Sequence, residues 1–107
     1  MKTINKEELK AKLDSKHDFK LVMTLGAFHF MAKRIPGSTF LENPETAMSK
    51  LKKDAEIVVY CSDVLCVASQ IAYNKLVSQG FTNVKRYSGG IVEWEEAGYP
   101  LEGEMVQ

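Results

Sequence analysis

The stretch that most constrains this chain is Glu56-Ile57-Val58-Val59-Tyr60-Cys61-Ser62-Asp63-Val64-Leu65-Cys66-Val67-Ala68-Ser69. A short apolar run stops at a cysteine. A few loop-like residues follow. A helical pattern then runs through Ile71, Ala72, Leu76 and Val77 to Gly80. A continuous apolar run suits a strand buried on both faces of a parallel sheet. Such sheets place their sites outside the carboxyl ends of their strands. The first N–H groups of the next helix lack partners within it and carry partial positive charge. A thiol held there ionises more readily, and the thiolate is the reactive form. Cys61 is therefore the candidate nucleophile. The backbone N–H groups of Ser62, Asp63, Val64, Leu65, Cys66 and Val67 form the candidate anion-binding loop. The bland reading of Cys61 is a small buried apolar residue at a strand end.

The rest of the chain reads as support for that loop. Asn5 followed by Glu8 resembles a capping box, and Leu9 and Leu13 share a face, so a helix is expected over 6–15. Lys20–Met23 reads as a short buried strand, 28–32 as a short helix, Ile35-Pro36-Gly37 as a turn and 38–41 as a strand. Asn43-Pro44-Glu45 has the form of a helix start, with Ala47, Met48 and Leu51 on that helix. The helix after the cysteine loop ends at Gly80, a natural left-handed cap. Its core stripe is expected to run through Ala68, Ile71, Ala72, Leu76 and Gln79, which puts Cys66 off the stripe. Val84–Tyr87 is a further strand. Ser88-Gly89-Gly90 is a turn, and 91–97 a helix with Trp94, closed by Gly98 with Pro100 beyond. The tail, 102–107, is expected to be loose. Strands alternate with helices, so the fold class is α/β with a mostly parallel sheet covered on both faces.

Composition narrows the function. The chain has 107 residues and reads as one domain, 1–107. Lys plus Arg and Asp plus Glu both count 14, so no net basic charge draws it to nucleic acid. Lys50, Lys52 and Lys53 form the densest basic cluster, simplest as a solvated helix end. Two cysteines do not make a disulfide framework. The start has no signal-peptide core, and no apolar run approaches the roughly 20 residues of a membrane span. A monomer in a reducing cytoplasm is expected.

Several segments together resemble the rhodanese family. They are Lys20-Leu21-Val22, Arg34-Ile35-Pro36-Gly37-Ser38, Ile57-Val58-Val59-Tyr60-Cys61, Gly80-Phe81-Thr82-Asn83-Val84, and Gly89-Gly90-Ile91-Val92-Glu93-Trp94-Glu95-Glu96-Ala97-Gly98-Tyr99-Pro100-Leu101. The resemblance implies a three-layer fold with a five-stranded parallel sheet. It also implies a sulfurtransferase or sulfane-sulfur carrier. Cys61 matches the cysteine that carries sulfur as a persulfide, taken from a small donor such as thiosulfate and passed to a thiol or cyanide. Cys61 to Cys66 match the cradle loop. No cofactor is implied, and a sulfur-carrier or thioredoxin-like protein is a conceivable partner.

The departures matter as much. Met23-Thr24-Leu25 stands where the family often has Asp-Val-Arg. The loop Ser62-Asp63-Val64-Leu65 has neither arginine nor glycine, and Cys66 stands where arginine often ends it. Without the guanidinium the loop lacks a bidentate anion contact. Weak activity with the thiosulfate dianion follows, and a persulfide or polysulfide donor suits the loop better. Cys66 reads two ways: a resolving thiol that attacks a persulfide on Cys61 and leaves a disulfide, or a helix residue without chemistry. The alternatives to sulfur transfer are a non-catalytic interaction or sensing module and a Cys61/Cys66 dithiol redox switch. A phosphatase or arsenate reductase needs arginine after Cys and five residues, where this chain has Val67.

The remaining candidates have simpler readings. Asp63 stabilises its own turn. Lys33 and Arg34 either supply the missing positive charge or form a solvated pair. His17 and His29 lack metal-ligand spacing, so no metal site is expected. Trp94, Phe81 and Tyr99 are core residues, and Gly89-Gly90 is a turn that needs unusual backbone angles.

Overall fold

The computed structural model describes residues 2–15, 18–24, 27–40, 51–61 and 67–106. Its frame is a five-stranded sheet, ordered β1-β5-β4-β2-β3, in which every pair is parallel. The strands are β1 (Thr3–Ile4), β2 (Lys20–Met23), β3 (Ser38–Phe40), β4 (Ile57–Tyr60) and β5 (Val84–Tyr87). The helices are α1 (Lys6–Asp14), α2 (Ala27–Ala32), α3 (Ala68–Ser78) and α4 (Gly90–Glu96).

The most apolar run takes the central place. All four residues of β4 are fully buried, because each face of this strand meets a different half of the core. Leu21, Met23, Val58, Tyr60 and Tyr87 turn one way and pack with Leu9, Ile91 and Trp94. Val22, Ile57, Val59 and Val84 turn the other way and pack with Tyr73, Leu76 and Phe81. This is the period-two alternation of a strand applied to a sheet covered on both sides.

Local chemistry sets the helix ends. The Asn5 side chain accepts the Glu8 N–H at 2.8 Å and starts α1. Gly80 has φ 94°, and the Gly80 and Phe81 N–H groups donate to the Val77 and Leu76 carbonyls, both at 3.1 Å. That paired pattern is a Schellman end, with Leu76 and Phe81 in one cluster. It repeats after α4, where Gly98 (φ 77°) and Tyr99 donate to Glu95 and Trp94.

Three expectations need correction. First, β1 has no counterpart in the sequence reading: two residues beside Arg86 and Tyr87 are too few to show a period. Second, the buried face of α3 is Ser69, Tyr73 and Leu76, while Ile71 is 63% exposed and Gln79 is exposed. Tyr73 takes the core position because its hydroxyl accepts the Lys2 N–H at 2.9 Å while its ring packs inward. Third, the tail expected to be loose is tied down as far as Val106. Arg34 and Glu102 form an antiparallel bridge, and Glu104 and Met105 donate backbone N–H groups to Met31 and Ala32, both at 2.9 Å. The helix expected after Asn43 lies outside the described residues, apart from Leu51, which packs against the second cluster.

Candidate functional site

Cys61 follows β4 directly and is 1% exposed. Its neighbourhood is built by backbone bonds from two other strand ends. The Ile91 N–H donates to the Cys61 carbonyl at 3.0 Å, which draws the Ser88-Gly89-Gly90 turn against the cysteine. Gly90 there has φ 70°, a conformation that favours glycine; Gly89 does not share it. One residue earlier, the Tyr60 carbonyl accepts both the N–H and the hydroxyl of Thr24, at 3.0 and 2.9 Å. Thr24, noted in the sequence only as part of a departure from Asp-Val-Arg, thus fixes the end of β2 against the end of β4.

The Tyr60 hydroxyl is buried below. It accepts the Ile35 N–H at 3.2 Å and donates to Ser38 Oγ at 2.9 Å. Burial pushes its pKa up, partly opposed by those two bonds. Tyr87 is also pushed up, by burial first and then by the Glu93 carboxylate to which it donates at 2.9 Å.

Helix α3 begins soon after the cysteine loop. Val67, its N-cap residue, is 60% exposed and offers no side-chain cap. Buried Arg86 of β5 donates from Nε to Ser69 Oγ at 2.8 Å, which ties the first turn of α3 to the sheet. Sequence reasoning missed this cation, which it placed only within the Val84–Tyr87 strand. Ser62, Asp63, Val64, Leu65 and Cys66 lie outside the described residues, as does His17. Cys61 itself is disulfide-bonded.

Lys33 and Arg34 stand at the surface, as the solvated-pair reading expected, and each lies beside a carboxylate. Lys33 Nζ lies 2.6 Å from Glu95 Oε2. Arg34 Nε lies 3.1 Å from Glu102 Oε1, and its guanidinium stacks 4.7 Å from the Phe30 ring centre. Beside the ends of β2 and β4 a cavity of about 320 Å³ opens, lined mainly by Met23, Phe28, His29, Lys33, Ile91 and Met105. No metal-ligand cluster occurs among the described residues, and no helix among them is long and apolar enough to cross a membrane.

A parallel α/β sheet with a cysteine just past its central strand defines the class, and sequence comparison supplies the family. Residues 5–97 match the rhodanese-like domain model, so this chain belongs to that family. It is 37% identical over 70 residues to the thiosulfate sulfurtransferase GlpE of Pseudoalteromonas translucida, an alignment covering 64% of this chain and 65% of that protein. It is 32% identical over 75 residues to the HTH-type transcriptional regulator Rv0324 of Mycobacterium tuberculosis, covering 68% of this chain and 33% of the regulator. The chain thus spans less than two thirds of either relative. The solution structure of the rhodanese-like domain of the Anabaena protein Alr3790 superimposes with TM-score 0.85 at 27% identity, covering 98% of this chain and 81% of that one.

Proposed function

We propose that this chain is a sulfurtransferase or sulfane-sulfur carrier working through a persulfide on Cys61. The observation that carries the reading is the position of Cys61, buried at the carboxyl end of the central strand with an uncapped helix just beyond the loop. The Cys61 thiolate attacks the outer sulfur of a donor. The donor's sulfur–sulfur bond breaks, the remainder leaves as an anion, and Cys61 holds the persulfide. An acceptor thiol or cyanide then takes the outer sulfur and returns the thiolate. The loop N–H groups from Ser62 to Val67 and the dipole of α3 stabilise the anionic states.

Two consequences follow. Thiosulfate is a poor donor, because the cysteine loop lacks an arginine, and Lys33 and Arg34 already lie beside Glu95 and Glu102; a persulfide or polysulfide is better. The disulfide form is inert until a small thiol or a thioredoxin-like protein reduces it, so the working setting is a reducing cytoplasm, with the protein as a monomer. A sulfur-carrier protein is the natural macromolecular acceptor.

The disulfide at Cys61 also favours a second reading, a dithiol redox switch in which Cys66 is the partner thiol and no sulfur moves. Intact mass separates the two. Reduced protein is incubated with thiosulfate and, separately, with polysulfide, alongside Cys61→Ser and Cys66→Ser. The expected result is one added sulfur that only Cys61→Ser abolishes. Retention of that sulfur in Cys66→Ser, with the wild type ending as a disulfide, assigns Cys66 as resolving thiol. No sulfur from either donor, with Cys61 still alkylatable, leaves the redox switch or a non-catalytic interaction or sensing module.

A further inference from the structure

The cavity at the end of β2, lined by neighbours of the Cys61 strand end and not by Cys61 itself, narrows the class of sulfur compound, an inference that rests on the sulfurtransferase reading. Its volume, about 320 Å³, suits a small molecule. Met23 and Ile91 form its floor, 2% and 8% exposed. Both are tied to the strand end that bears the cysteine: Met23 is in register with Tyr60, and the Ile91 N–H meets the Cys61 carbonyl. Phe28 and Met105 form its walls and are 77% and 68% exposed despite their size and apolarity.

The Met105 wall is a built feature. The Met105 N–H donates to the Ala32 carbonyl at 2.9 Å. Gly103, at φ 136°, lies so close to α2 that a Cβ there would sit 2.5 Å from the Ala32 oxygen. Only glycine allows the segment to approach that far.

Charge decides what fits. Among the described lining residues the sole fixed cation is Lys33, and Glu95 already holds it at 2.6 Å. A dianion here would have to exchange water for thioethers and a ring, without an unpaired cation in return. An apolar body gains contacts instead. It covers Phe28 and Met105, and an aromatic ring makes favourable contacts with the methionine sulfurs. We propose that this cavity receives the apolar, ring-sized body of an organic sulfane-sulfur compound whose outer sulfur is delivered to Cys61.

Benzenethiosulfonate and methanethiosulfonate test this, since they carry the same outer sulfur and the same single charge and differ in apolar body. In each, the Cys61 thiolate bonds to the outer sulfur, its bond to the sulfonyl sulfur breaks, and the sulfinate leaves with the electron pair. Loading of the reduced protein is followed by intact mass, and rates are divided by those of a free small thiol. Wild type should prefer the benzene compound by about tenfold or more. Met105→Asp and Phe28→Ser should bring the ratio down to about threefold or less, while Val77→Ser on the exposed face of α3 should keep it. A binding readout needs no sulfur transfer: benzenesulfinate should shift the labelled methyl resonances of Met23 and Met105, and methanesulfinate should not. Loading without preference and without these shifts overturns the cavity assignment and leaves the sulfurtransferase reading intact. Shifts without loading keep the assignment and overturn the sulfur chemistry. Neither shifts nor loading overturns both.

Discussion

Arg86 and Ser69 make the most consequential side-chain bond near the site. Arg86 pairs in register with Val59, two residues before Cys61, so its side chain leaves the sheet on the face toward α3. Its Nε–H meets a Ser69 hydroxyl that is 1% exposed. Ser69→Ala removes the acceptor and leaves a buried charged donor short of one partner, at a cost of ~1–3 kcal/mol. Urea unfolding should show the midpoint fall with an unchanged slope. The buried tyrosines give a pH signature. Tyr60 and Tyr87 both ionise above their ordinary value when folded. Below about pH 10 both states are protonated and nothing depends on pH. Above it the unfolded chain loses protons that the folded one keeps, so stability falls by ~1.4 kcal/mol per pH unit per tyrosine. Tyr60→Phe should be less stable at neutral pH, because the Ile35 N–H loses its partner, yet its stability should fall less steeply above pH 10. Equal slopes in the two proteins would contradict this origin.

Among the elements, the two glycines at the ends of α3 and of the C-terminal segment separate strain from collision. At Gly80 a Cβ meets nothing within 4 Å, so Gly80→Ala pays only for the left-handed backbone, ~1–2 kcal/mol, and α3 stays in place. At Gly103 the same change strikes the backbone of Ala32 and detaches the segment. Hydrogen exchange at the Glu104 and Met105 amides should then become fast, with α1 and β4 unchanged. The contrast also shows what a sequence can disclose. β4 was legible because four apolar residues in a row need burial on both faces, and the helix ends at Gly80 and Gly98 because glycine has few other reasons to stand there. The face of α3 was misread because hydropathy ranks Ile71 above Tyr73 and takes no account of the Lys2 N–H waiting for a hydroxyl. The C-terminal segment was misread because bonds from Glu104 and Met105 to α2 use main-chain atoms that no residue type advertises. For the same reason Cys61 was legible as the candidate, while Thr24 and Arg86, which fix its surroundings, were not.

For the molecule as a whole, charge is distributed so that the described cations near Cys61 are already engaged. Formal net charge is zero, Lys33 faces Glu95, Arg34 faces Glu102, and Arg86 is buried against Ser69. No long-range positive field therefore concentrates a dianion at the cysteine loop. If this balance is what limits thiosulfate, restoring a single guanidinium where the family often carries one should relieve it. That position is Cys66. A charge-assisted bond to the donor is worth ~1.5–3 kcal/mol, which corresponds to roughly a tenfold to hundredfold change in binding. Cys66→Arg should raise kcat/KM for thiosulfate by about that factor, measured as thiocyanate formed from cyanide. The comparison is with Cys66→Ser, which also lacks the second thiol and so isolates the charge from the loss of that thiol. The gain should shrink at high salt, because an exposed anion contact is screened. For benzenethiosulfonate, with one charge fewer and an apolar body to bind, the same substitution should help much less. An equal gain for both donors would mean that the arginine acts on the loop's conformation, and that charge is not what sets the choice of donor.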